Sequence, residues 1–233
     1  LEGLSPESEV RYATAQGEGV FRTPPAAARG LRFLVIGDSG TGSEAQHQIA
    51  ARLENEEADL ILHTGDIAYP EASDEALEAL YVGAYRKIMS RTPIYPCPGN
   101  HDNVANLAPY LRWHAIPETP GVPASDRGRY YAFESQGVEF ISLDSNDGLW
   151  EGWKMVPWLG QRLAQSRSFW RVVFFHHPPY TGGFHAQDET CRLAAERLAP
   201  RLEAARVPLV LNGHEHSYQR MRSGATTYLV SGG

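Results

Sequence analysis

Leu60-Ile61-Leu62-His63-Thr64-Gly65-Asp66-Ile67-Ala68-Tyr69 is a short apolar run that breaks into a glycine, an acid and an aromatic residue. A run this short, closed by turn chemistry, fits a buried strand, and strands buried on both faces belong to parallel sheets. The arrangement recurs outward in both directions. Upstream, residues 31–36 run into Gly37-Asp38-Ser39-Gly40. Downstream, residues 93–97 lead to Gly99-Asn100-His101-Asp102, 172–175 to His176-His177, and 209–211 to Gly213-His214-Glu215-His216. Short strands alternating with helical stretches give an α/β class.

The helical stretches are read from caps and periodicity. Ser43 with Gln46 three residues on predicts a capping box, with Ile49 and Leu53 on one face. Leu77, Leu80, Tyr81, Ala84 and Ile88 form a stripe that predicts a helix over 74–89. Residues 130–133 and 138–143 pair around Gln136-Gly137, a helix is expected at 158–165, and another at 189–205 that Pro200 kinks or splits. Residues 1–30 read as one or two strands and a linker.

Composition narrows the function classes. A chain of 233 residues buries roughly 70–75% of its unfolded surface, enough for a sizeable core. Acidic residues outnumber basic ones 28 to 21, for a net charge of −7 without a basic stripe, which argues against nucleic-acid binding. No apolar run approaches the roughly 18 residues of a membrane helix. Cys97 and Cys191 form no metal or redox pair and leave the compartment open. A chain opening on Leu1 without a leader-like segment predicts a processed or shortened N-terminus.

Ligands in open α/β sheets bind at the carboxyl ends of strands, so the five strand ends carry the chemistry. They present Asp38, Asp66, Asn100, His176 and the pair His214/His216, all metal-ligating types, and the glycines before Asp38, Asp66, Asn100 and His214 offer backbone freedom for turning side chains toward one centre. An Asp alone would be a cap or turn residue, and a His alone a satisfied core histidine; five together are not.

These blocks resemble the metallophosphoesterase (calcineurin-like) signature, and most closely that of the purple acid phosphatases. The matching segments are Asp38-Ser39-Gly40, Gly65-Asp66-Ile67-Ala68-Tyr69, Gly99-Asn100-His101-Asp102, Val173-Phe174-Phe175-His176 and Gly213-His214-Glu215-His216, in order, within residues 31–233. Most metallophosphoesterases carry Asp-x-His in the first block; here position 40 is glycine, and Tyr69 offers a phenolate, a hard anionic ligand suited to Fe(III). The resemblance implies a two-sheet β-sandwich flanked by helices, the four-layer metallophosphoesterase fold. It implies Asp38, Tyr69 and His216 on Fe(III), Asn100, His176 and His214 on a divalent Zn, Mn or Fe, and Asp66 bridging. It further implies hydrolysis of small phosphate monoesters by a metal-activated hydroxide, with phosphodiesters as the alternative substrate and a non-catalytic metal- or phosphate-binding module as the rival class.

The same resemblance gives His101 and His185 the roles of phosphate donors or general acid, with Asp102 orienting His101. His177 is open between donating into the site and packing. Asp144-Ser145-Asn146 matches another family strand end without a ligand role, and substrate-selecting side chains are expected from loops 150–158 and 181–187. Residues 1–30 look like the tail of a preceding β-sandwich domain, and both ends are expected to be incomplete. Localisation is implied by the resemblance as secreted or periplasmic; oligomeric state stays open.

Two decoys fall on chemistry. Gly37-Asp38-Ser39-Gly40 copies a serine-protease nucleophile motif, but no His precedes Ser39 in the order that mechanism needs. The loop 37–43 has no lysine before Ser43, which removes the nucleotide-triphosphate reading.

Overall fold

The computed structural model describes residues 3–14, 17–146, 149 and 154–233; residues 150–153 of the 150–158 loop lie outside the described residues. The hairpin β1 (Glu9–Thr14) and β2 (Gly17–Arg22) pairs only with itself. β3 (Phe33–Ile36), α1 (Glu44–Leu53) and β4 (Leu60–His63) come next. Helix α2 (Asp74–Ala76) widens into a π-helix at Leu77–Val82, narrows to α3 (Gly83–Met89) and leads to β5 (Ile94–Pro96). β3, β4 and β5 form a parallel sheet in that order.

After α4 (Ala108–Trp113) the chain builds a second sheet from β6 (Tyr131–Ser135), β7 (Val138–Ser142), β8 (Trp170–Phe174), β9 (Leu209–Asn212), β10 (Tyr218–Ser223) and β11 (Thr226–Ser231). Helix α5 (Met155–Gln165) precedes β8, and α6 (Glu189–Arg197) and α7 (Ala199–Ala204) precede β9. The order is β10-β11-β9-β8-β7-β6, with parallel strands at the centre and antiparallel pairs at both edges.

Strand alternation assigns the layers. Leu60 and Leu62 of β4 meet Val172 and Phe174 of β8, with Phe140 and Leu211, between the two sheets. The intervening Ile61 faces the other way, onto Leu53, Tyr81 and Ile88, while Val173 faces Leu159, Leu163 and Leu202. A period of two therefore serves two cores at once. The result is helices, three strands, six strands, helices, the expected four-layer sandwich.

Three local expectations shift. In α1 the buried residues are Gln46, Ala50 and Leu53, whereas Ile49 is 42% exposed. Gln46 takes the inward place because its amide works there: Oε1 accepts the Gly42 N–H at 2.7 Å, and Nε2 donates to the Leu80 carbonyl. Ser43 does cap the helix, accepting the Gln46 N–H at 3.3 Å. Along 74–89 the wide π turn rotates the rest of the helix, so Tyr85 rather than Ala84 is buried with Leu77, Tyr81 and Ile88. The 189–205 stretch splits at Leu198, with Pro200 in the first turn of α7, where its missing N–H costs nothing.

Candidate metal centre

β3, β4, β5, β8 and β9 run parallel within their sheets, and the loops after their carboxyl ends converge on one edge of the sandwich. Three convergent residues, Asp38 (φ 53°), Asp66 (φ 53°) and His214 (φ 68°), are in the left-handed region, which costs a non-glycine residue about 1 kcal/mol or more. Backbone bonds hold them there. Asp38 N–H donates to the Gly65 carbonyl at 2.9 Å, Asp66 N–H to Asp102 at 2.8 Å, and His214 N–H to the Asp38 carboxylate at 3.0 Å. Of the four glycines expected to supply freedom, Gly65 alone has positive φ. Gly99 is needed instead because a Cβ there would fall on the Asp66 carboxylate.

The seven residues expected to bind metals come together as two donor sets. Tyr69 Oη lies 3.2 Å from Asp38 Oδ1, 3.1 Å from Asp66 Oδ2 and 3.1 Å from His216 Nε2. His176 Nε2 lies 3.0 Å from Asn100 Oδ1, 3.2 Å from His214 Nδ1 and 3.3 Å from Asp66 Oδ2. Asp66 Oδ2 belongs to both sets.

Protonation makes these sets unusual as plain hydrogen-bond clusters. A carbonyl can only accept, so His176 Nδ1 donates to Thr64 O (2.9 Å), and in the neutral ring its Nε2 is left bare. His214 Nε2 donates to Asp188 Oδ2 (3.0 Å), which leaves its Nδ1 bare as well. Bare nitrogens and the Asn100 oxygen then point at one another across about 3 Å, a repulsive arrangement unless a proton or a cation lies among them. Donors roughly 2.0–2.2 Å from a shared ion are spaced like this. Burial opposes protonation of His176, but the Asp66 and Asp38 carboxylates outweigh it and raise its pKa to about 9. Burial and the same two carboxylates keep the Tyr69 phenol protonated far above its ordinary value. The residue types and spacing fit metal ions.

Around this centre the structure revises one expected role. Asp102 does not hold the His101 ring: its carboxylate accepts the N–H groups of Asp66 (2.8 Å), Ile67 (2.9 Å) and Gly99 (2.8 Å), clamping the β4 and β5 loops together. The reason is burial, since a fully enclosed carboxylate takes the nearest donors and those are backbone. Burial and the Asp66 charge push Asp102 up to about 7, against the bonds from Gly99 and Ile67. His101 Nδ1 instead meets the Pro70 carbonyl at 2.6 Å, and its partly exposed ring packs on Tyr69, 4.6 Å between centroids. His185 lies on the other flank, its ring 4.2 Å from that of His214 and its Nδ1 2.8 Å from Asp188 Oδ2.

Other candidates lie behind the donor sets, His177 with a ligand-capable nitrogen within 4.8 Å of those of His176 and His214. His177 is buried, its backbone N–H donating to Ser145 Oγ at 3.1 Å and its Nδ1 2.8 Å from the same hydroxyl. Ser39 and His63 do form a buried pair (2.9 Å), but Gly65 N–H donates to His63 Nδ1, so Nε2 carries the proton and cannot take one from Ser39. Asp144, Ser145 and Asn146 support the site from behind: Asp144 pairs with buried Arg129 at 3.0 Å, and Asn146 Nδ2 donates to the Gly99 carbonyl at 3.1 Å. Sequence reasoning missed Arg129, Asp188 and Glu215. Asp188 could have been found as His185-x-x-Asp188, one turn apart; Arg129 carries no local signal.

Residues 31–218 match the family model described as Calcineurin-like phosphoesterase. An uncharacterized protein of Mycobacterium tuberculosis is 25% identical over 94% of this chain and 49% of its own length. Purple acid phosphatase 7 of Arabidopsis thaliana is 27% identical over 87% of this chain and 70% of its own. The chain thus spans about half the length of the mycobacterial relative it matches. Among solved structures, purple acid phosphatase PPD1 from yellow lupin superposes with a TM-score of 0.76 at 18% identity, covering 100% of this chain and 51% of that one. With its fold, its ordered strand-end motifs and its matched residues in agreement, the chain belongs to the calcineurin-like phosphoesterase family and stands close to the purple acid phosphatases within it.

Proposed function

We propose that the protein hydrolyses small phosphate monoesters at a binuclear Fe(III)–M(II) centre, with M(II) being Zn, Mn or Fe. The observation that carries this reading is the pair of donor sets sharing Asp66 Oδ2. Asp38, Tyr69 and His216 would hold the ferric ion, Asn100, His176 and His214 the divalent one, and Asp66 both. Two such ions acidify bound water, bind phosphoryl oxygens and stabilise a leaving oxygen. The chain's own residues do the rest. Thr64 and Asp188 fix which nitrogens of His176 and His214 face inward, and Asp102 fixes the loops that bring Asp66 beside Asn100. His101 and His185, partly exposed on opposite flanks, are placed to contact the phosphate or give a proton to the leaving alcohol.

Residues 31–233 read as the catalytic domain and residues 1–30 as a remnant of a preceding β-sandwich domain, a reading supported by the solitary β1–β2 hairpin. No described helix is long and apolar enough to cross a membrane; a secreted or periplasmic location rests on the family resemblance. The test is metal analysis with a visible spectrum, alongside hydrolysis rates on a monoester and a diester. Iron with one divalent ion and faster monoester turnover is expected. A colourless active protein with two zincs would remove the ferric ion, and preferential diester turnover would reassign the substrate.

A further inference from the structure

Glu215 stands between His214 and His216 in the chain, yet its carboxylate turns away from both toward the loop 181–187. It is 7% exposed. Its Oε2 accepts the His185 N–H at 3.0 Å and the Thr181 hydroxyl at 3.3 Å. Gly183 lies flat against it, because a Cβ built on Gly183 would fall onto the carboxyl group. Thr181 Oγ1 also accepts the Gly183 N–H at 3.0 Å and the Gln219 amide at 3.1 Å, and Gln219 Oε1 takes the Gly182 N–H at 3.0 Å.

We propose that Glu215 is the positioning residue for His185: it clamps the 181–187 backbone against the metal-bearing β9 loop and so sets the height of the His185 ring beside His214. The proposal rests on the reading of His185 as a substrate-contacting residue. Three features argue for a clamp over incidental packing. A loop with partly exposed residues and consecutive glycines has little packing of its own, and its fixed points are polar. The carboxylate binds the amide of His185 itself. Asp188, at the far end of the loop, holds the His185 ring at 2.8 Å, so backbone and ring are located separately. Functional side chains need second contacts of this kind to stay within a fraction of an ångström of the working geometry.

The test compares Glu215→Val, which removes the acceptor, with Glu215→Gln, which keeps one carbonyl oxygen. In the fully metallated protein Glu215→Val should retain both ions and lose about 10–100-fold in turnover of an alkyl phosphate, with a smaller loss on an activated aryl phosphate, as expected for misplacing a proton donor. Glu215→Gln should recover most of that rate. Combined with His185→Ala, Glu215→Val should add almost nothing. Wild-type turnover in Glu215→Val, or losses that add in full with His185→Ala, overturn the clamp. Gly183→Ala, which replaces no proposed ligand and instead pushes the 181–187 loop off the Glu215 carboxylate, should show the same substrate dependence and repeats the test if Glu215→Val loses an ion. If the unaltered protein hydrolyses no ester, the reading of the site fails while the clamp is still judged by hydrogen exchange. Protection of the His185 amide that disappears in Glu215→Val upholds it, and protection that persists overturns it.

Discussion

Asp66 touches both donor sets, so replacing it separates one shared centre from two independent ones. Asp66→Ala is expected to abolish binding of both ions, read by metal analysis after dialysis; retention of either at wild-type stoichiometry would mean that the sets do not share a ligand. Tyr69→Phe keeps the ring and removes the phenol oxygen. On the proposed Fe(III) assignment the unaltered iron-loaded protein shows a visible band from charge transfer between phenolate and ferric iron, and the Tyr69→Phe form should lack it. An unchanged spectrum excludes Tyr69 as a ligand. At this scale the sequence was most readable: the seven ligand types stood in ordered motifs, and the structure draws them to within about 3 Å of one another in two sets. The roles of Asp102 and Glu215 were not readable, since both act on backbone N–H groups, and a backbone partner leaves no mark in a sequence.

The elements were legible where one force dominated. The runs at 60–63 and 209–211 are strands because burial dominates them, and Pro200 splits its helix, one of the two outcomes its missing N–H and its ring allow. Where two forces compete the pattern misleads. Gln46 wins the buried face of α1 over Ile49 through hydrogen bonds that hydropathy cannot rank. β10, with Gln219, Arg220 and Arg222, carries too little apolar alternation to be recognised alone and exists because β11 pairs with it. Buried bonds from Tyr131 and Ser142 to the Pro96 carbonyl tie the ends of β5, β6 and β7 together, and Arg129 and Asp144 form a buried ion pair. Leaving one charge of a buried pair uncompensated costs about 3–5 kcal/mol. Arg129→Met is therefore expected to lose about that much stability in denaturant unfolding, where a loss below about 1 kcal/mol would show the pair to be dispensable.

For the molecule as a whole, three neutral histidines outside the donor sets, His63, His114 and His177, shape the response to acid, each held below its ordinary value by burial. Burial lowers His63 to about 3 and His114 to about 4, whereas an unfolded histidine titrates near 6.5. As pH falls from about 6.5 toward 4, the unfolded chain takes up protons that the folded one refuses, so stability declines on the acid side, by at most about 1.4 kcal/mol per pH unit for each. His114→Phe removes one contributor, along with an Nε2 that has no hydrogen-bond partner among the described residues. Its unfolding free energy should fall less steeply between pH 6.5 and 4.5; a slope equal to that of the unaltered protein would show that His114 is already charged when folded.

The two sheets share no strand. The three-stranded sheet is drawn from residues 33–96 and the six-stranded one from 131–231, so the first stretch carries Asp38, Asp66, Tyr69 and Asn100 and the second His176, His214 and His216. The centre is thus divided between two consecutive lengths of chain, joined by a loop whose residues Pro120 and Gly121 are exposed. A molecule nicked there becomes a split reporter whose halves each hold an incomplete grip on the ions. Reassembly of the separated fragments should then require both halves and the metals together, a three-input gate that a chelator opens, whereas the same fragments cut elsewhere, at the exposed Gly160 within α5, should rejoin poorly whatever the metal supply.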